Sequence, residues 1–82
     1  MNIYLISQEV NRYYDTYDAA IVAAKDKKSA RQLNPATGKP MTEEDWSMGL
    51  WCSGVGQVTV KYLGKAKQGT KQSLLLSSFN GS

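Results

Sequence analysis

The residues able to do chemistry are few, and their pattern points away from catalysis. The chain has no histidine, which removes the commonest general base and a principal metal ligand. Cys52 is the only cysteine, and without an imidazole to activate it, it reads as a small, half-buried apolar side chain. One cysteine and no histidine cannot build a zinc site, so neither metal nor cofactor is expected. Asp15 and Asp18 flank Thr16 and Tyr17. Such a pair can share acid–base work or hold a hard cation, but Asp in a polar loop ordinarily bonds its own turn backbone. Gly54-Val55-Gly56 is too short to cradle a phosphate, and no dinucleotide or Walker fingerprint follows a strand. No residue is assigned a catalytic role.

Binding chemistry is better represented. Arg12, Tyr13, Tyr14 and Tyr17 fall within one polar segment, Asn11 to Asp18. Exposed tyrosine beside arginine is the composition of a protein-binding hot spot, and the same rings can stack on the bases of a single strand. Alternatively, some of the rings roof the end of a sheet and keep only their hydroxyls in water. Trp46 and Trp51 bracket a glycine-rich stretch. One of them is expected to anchor it to the core, leaving the other as a contact, with Trp46 assigned to the partner-binding set.

Charge is uneven along the chain. Net charge is +3, yet from Val55 onward there are Lys61, Lys65, Lys67 and Lys71 and no acidic residue. Those lysines can draw in nucleic acid or an acidic protein face. The plainer function for lysines on strands is to keep sheet edges from pairing with other chains. Glu43, Glu44 and Asp45 form a local acidic knot.

The elements that must position these residues follow from periodicity. Ile3-Tyr4-Leu5-Ile6 sits in a first strand, Asn2 to Glu9, with apolar residues on both faces, as expected of an interior strand. A long hairpin loop through Asp18 leads to a second strand, Ala19–Ala24. Asp26 offers an N-cap to a helix of about two turns that Pro35 ends. Lys27, Lys28 and Arg31 are placed on its solvated side. Residues 34–56 read as a long irregular loop, functional or mobile, in which Thr42 can cap one helical turn through Trp46. Val58, Val60 and Tyr62 alternate with Thr59 and Lys61, predicting a core-facing third strand. Gln68–Lys71 supplies a turn into a last strand, Ser73–Phe79. The expected fold is α+β: a four-stranded, mostly antiparallel sheet in the order β-β-α-loop-β-β, with one short helix on one face.

At 82 residues there is room for one domain, residues 1–82, and one core. A domain this small without disulfides is expected in a reducing cytoplasm. The opening Met1–Ile6 lacks a basic leader region, and no apolar run reaches the roughly 20 residues of a membrane span.

Tyr14-Asp15-Thr16-Tyr17-Asp18-Ala19-Ala20-Ile21-Val22-Ala23-Ala24, followed by Ala30-Arg31 and Pro35, resembles the front of a group of small bacteriophage and prophage accessory proteins. Tyr62-Leu63-Gly64-Lys65-Ala66 and the ending Leu76-Ser77-Ser78-Phe79-Asn80-Gly81 resemble the back of that group. The sequence departs from it in the helix, where lysines stand in place of acidic residues. Phage genes of this size often encode inhibitors of host defence, anti-CRISPR proteins among them. The resemblance therefore implies a non-enzymatic inhibitor in the bacterial host cytoplasm. Its expected partner is a host protein or ribonucleoprotein, with a defence complex foremost. The other reading is a nucleic-acid or nucleotide binder that uses the four lysines with the tyrosines.

Overall fold

A computed structural model describes residues 1–80; Gly81, which closes the C-terminal motif, lies outside them. The strands are β1 (Asn2–Ser7), β2 (Thr16–Ala24), β3 (Thr59–Lys65) and β4 (Ser73–Asn80). Between β2 and β3 lie two five-residue helices, α1 (Lys27–Arg31) and α2 (Glu43–Ser47), and a 3-10 turn at Val55–Gln57. The expected α+β sheet is present, with two short helices instead of one.

The four strands form one antiparallel sheet in the order β3-β1-β2-β4. β1 is interior, as its two-faced apolar pattern requires. β3 and β4 do not form a hairpin. They occupy opposite edges, and the Ala66–Gln72 connection crosses the end of the sheet between them.

One row, Tyr62–Tyr4–Val22–Leu74, runs unbroken across all four strands on the core face. The register shifts on either side of it, between Ile3 and Tyr4 against β3, and between Ile21 and Val22 against β4. The next core-facing row is Val60–Ile6–Ala20–Ser77. Tyr62 touches Tyr4 edge-on at 5.8 Å but remains 47% exposed, so on an edge strand its parity secures only half a burial.

The second layer is built mostly from the segment expected to be an irregular loop, residues 34–56. Pro35, Trp51 and Cys52 are buried, and Met41 and Trp46 pack against the same cluster. Regular turns hold it. Leu33 bridges to Pro40, and Asn34 receives backbone bonds from Thr37 and Gly38. Thr42 and Asp45 make a reciprocal capping box on α2. Small β2 side chains, Ala20 and Ala24, let this layer approach closely. α1 is shorter than expected: Asp26 caps it through the Ser29 N–H at 2.7 Å, but the helix ends at Arg31. Arg31 does not face solvent alone; its Nη1 donates to the Val58 carbonyl at 2.8 Å and ties α1 to the start of β3.

Candidate functional site

The tyrosine segment is organised by polar side chains that are themselves hidden. Gln8 is 3% exposed, and its amide makes four hydrogen bonds. Nε2 donates to the carbonyls of Asn11 (2.6 Å) and Tyr17 (2.9 Å), and Oε1 accepts from the Val10 and Asn11 N–H groups. Asn11 passes the connection on: its Nδ2 donates to the carbonyls of Gly49 (2.9 Å) and Trp51 (3.0 Å). Tyr17 N–H donates to the Leu50 carbonyl, and the Thr16 hydroxyl donates to the Tyr13 carbonyl. Asp15 takes a left-handed conformation at φ 63°, which closes the turn that presents Tyr13 and Tyr14.

These contacts bring some predicted residues together and separate others. Tyr13 and Tyr14 stand out from the turn, 78% and 72% exposed, with Arg12 exposed beside them. Tyr13, Trp46, Trp51, Val10 and Asn11 line one groove of about 420 Å³. Trp51 is the anchor, buried in the core cluster, while Trp46 is half-buried, packs against that cluster and lines the groove. The Trp51 indole N–H has no acceptor among the described residues, so the buried floor of the groove includes one unsatisfied donor.

Tyr17 belongs to β2, not to the loop. It pairs with Phe79, ring centroids 4.8 Å apart, and packs on the core. It roofs the end of the sheet, which is the structural alternative weighed for these rings. Asp18 is likewise in β2 and so does not share a loop with Asp15. Cys52 is fully buried instead of half-buried, and desolvation pushes its thiol pKa above the usual 9.0. Its Sγ lies 3.4 Å from the Gly54 carbonyl oxygen. Among the described residues no three His, Cys, Asp or Glu side chains group as a metal site.

The lysines lie elsewhere. Lys65 is paired with Asn2, at the end of β1 opposite to Gln8; Lys67 and Lys71 are in the crossing connection. At about 3.4 Å per residue, β1 separates the tyrosine end from the lysine end by roughly 20 Å. A second groove, of about 400 Å³, opens at the lysine end beside Lys25, Lys28 and Gln72. Lys61 is exposed in mid-strand on β3. The acidic first turn of α2, by contrast, lies one helical turn from Trp46. The molecule is therefore aromatic and locally acidic at one end and basic at the other.

Gln8 and Asn11 were not singled out by sequence reasoning. The one signal for them was the polar break after Ile6, which is also how an ordinary strand end reads. No protein family, curated protein or solved structure matches the chain. Among the described residues no helix is long and apolar enough to cross a membrane.

Proposed function

We propose that the protein is a non-enzymatic, phage-derived accessory protein that binds and inhibits a host protein or ribonucleoprotein in the bacterial cytoplasm, foremost a defence complex of the kind anti-CRISPR proteins block. The observation that carries the binding part is the shared groove of Tyr13 and Trp46, with Arg12 and Tyr14 exposed on either side of Tyr13 in the chain. Rigid rings cost little conformational entropy on docking, and arginine can grip carboxylate or phosphate at two points. The acidic turn of α2 next to the groove repels a phosphate backbone and so favours a protein surface as the occupant. The phage and defence parts rest on the sequence resemblance.

A second reading has its own support. Lys25 and Lys28 line the groove at the basic end beside Asp26, and Lys67 and Lys71 lie in the connection that follows β3 at that end, a setting suited to nucleic acid. Pull-down from a bacterial lysate, with bound protein and nucleic acid both identified, separates the two. Recovery of a protein lost on Tyr13→Ala supports the first. Recovery of nucleic acid alone, lost on Lys67→Ala and released steeply by salt, would replace it with the second.

A further inference from the structure

The acidic residues are gathered at the tyrosine end. Residues 8–18 and 43–57 hold Glu9, Asp15, Asp18, Glu43, Glu44 and Asp45, six of the seven acidic residues, against Arg12 alone of the ten cations. Asn11 ties the two segments together through the Gly49 and Trp51 carbonyls, as does the Tyr17 N–H through the Leu50 carbonyl. Their charges therefore share one end of the sheet. The chain as a whole is positive at +3, yet this end is negative. Glu9, Asp15, Glu43 and Glu44 are exposed there.

The Tyr13–Trp46 groove opens among these charges. Its lining residues Val10 and Trp46 are the chain neighbours of Glu9 and Asp45, and among the described residues the lining carries no charged side chain. Its polar side chains are engaged: Asn11 Nδ2 donates to two carbonyls, the Ser47 hydroxyl to the Glu44 carbonyl, and the Ser53 hydroxyl to Gln57 Oε1. Trp51 is the exception. It is 2% exposed, and its indole N–H meets no acceptor among the described residues. A buried donor left unmatched is costly, and a ligand that brings an acceptor recovers that cost. The acceptor that fits is a neutral carbonyl, because a carboxylate or phosphate would enter against the surrounding negative charge.

We infer that this groove takes a basic peptide segment of the partner protein. One main-chain carbonyl of the segment accepts from the Trp51 indole N–H, and a lysine or arginine beside it lies against Tyr13 and Trp46. Aromatic rings attract a cation at close range, and the surrounding carboxylates draw it in from further away. The indole nitrogen is buried in the free protein, so the segment displaces part of the wall as it docks. α2, five residues long with none of them fully buried, is the wall that yields. The inference rests on the protein partner proposed above and adds the chemistry of the segment it presents.

Nitrogen-15 correlation spectra of the full chain test this, because Trp46 and Trp51 are its only tryptophans and give two indole N–H signals to follow. The probes are acetyl-Gly-Lys-Gly-amide and the same peptide with norleucine or glutamate in place of the lysine, each titrated to about 10 mM. The lysine peptide should shift the Trp51 indole signal. The norleucine peptide should bind about threefold more weakly, and the glutamate peptide should leave the signal in place. Glu43→Gln with Glu44→Gln, both exposed, should weaken the lysine peptide and leave the norleucine peptide unchanged. A Trp51 signal unmoved by the lysine peptide overturns the inference, and so does binding that is equal for the lysine and glutamate peptides. The lysate pull-down fails or succeeds separately. A protein captured through Tyr13 that leaves the Trp51 signal in place keeps the proposed function and overturns this inference. Peptide binding with no protein captured removes the proposed function and supports the chemistry of the groove.

Discussion

Gln8 Nε2 donates to the Tyr17 carbonyl at 2.9 Å, so the residue that follows β1 holds the backbone where β2 begins. The same amide fixes Val10 and Asn11, and Asn11 in turn fixes Gly49 and Trp51. Gln8→Leu keeps the bulk but leaves these donors and acceptors unmatched in a buried site. Urea denaturation should show a loss of about 2–3 kcal/mol. Amide exchange should quicken at residues 10–17, including the Tyr17 N–H that donates to the Leu50 carbonyl. A change under about 0.5 kcal/mol would show that water replaces the amide without cost.

Gly38 stands at φ +75°, and a Cβ built there meets the Leu74 backbone nitrogen and comes within 2.8 Å of the Leu74 Cβ. Both the conformation and the space require glycine, because this turn lies directly on β4. Gly38→Ala should cost about 2–4 kcal/mol, from left-handed strain plus overpacking. Gly49 also has positive φ but nothing within 4 Å. Gly49→Ala should therefore cost only the strain, about 1–2 kcal/mol. Thermal denaturation of both variants checks the order.

The fold was legible where a local pattern coincided with its tertiary environment. Val58-Thr59-Val60-Lys61 alternates because one face of β3 meets the core, and Asp26 and Thr42 cap helices through bonds made within three residues. Partnership between strands was not legible. Gln68–Gly69 looks like a hairpin turn, yet it crosses from β3 to β4 at opposite edges, a choice made by pairing with β1 and β2. Tyr17 read as a loop ring because Asp15 and Asp18 surround it, and its strand identity comes from pairing with Phe79. Of the site, the exposed rings and Trp46 were visible as composition. The juxtaposition of Tyr13 with Trp46 depends on Gln8 and Asn11, whose bonds span up to 40 positions along the chain.

The Cys52 thiol is buried, and desolvation raises its pKa above 9.0. The folded thiol therefore stays protonated at neutral pH, and thiolate reagents should label it only as the chain unfolds. Iodoacetamide labelling at pH 8 should track the unfolding curve in urea. The linkage sign follows: well below pH 9.0 both states keep the proton, so the group contributes almost no pH dependence. Above it the unfolded chain ionises first, and stability falls as pH rises toward the folded pKa. Cys52→Ala should lose that alkaline decline. Rapid labelling of the fully folded protein would instead indicate an accessible, activated thiol.

Tyr13 and Lys67 lie at opposite ends of the sheet, roughly 20 Å apart by the length of β1. For a partner seated on the Tyr13–Trp46 groove, Tyr13→Ala should cost about 2 kcal/mol or more, mostly as faster dissociation. Lys67→Ala should act mainly through the association rate and fade as salt is raised. Residues that far apart with no shared contact are expected to add, so the double variant should equal the sum within about 0.5 kcal/mol. Circular dichroism should be unchanged in all three proteins, because Tyr13 and Lys67 are both exposed. Surface plasmon resonance at two salt concentrations measures the four rate pairs of the cycle. The opposite order, a neutral tyrosine change and a severe lysine change that persists at high salt, would move the contact to the basic end. A coupling above about 1 kcal/mol would mean one extended ligand spans the sheet and touches both ends at once.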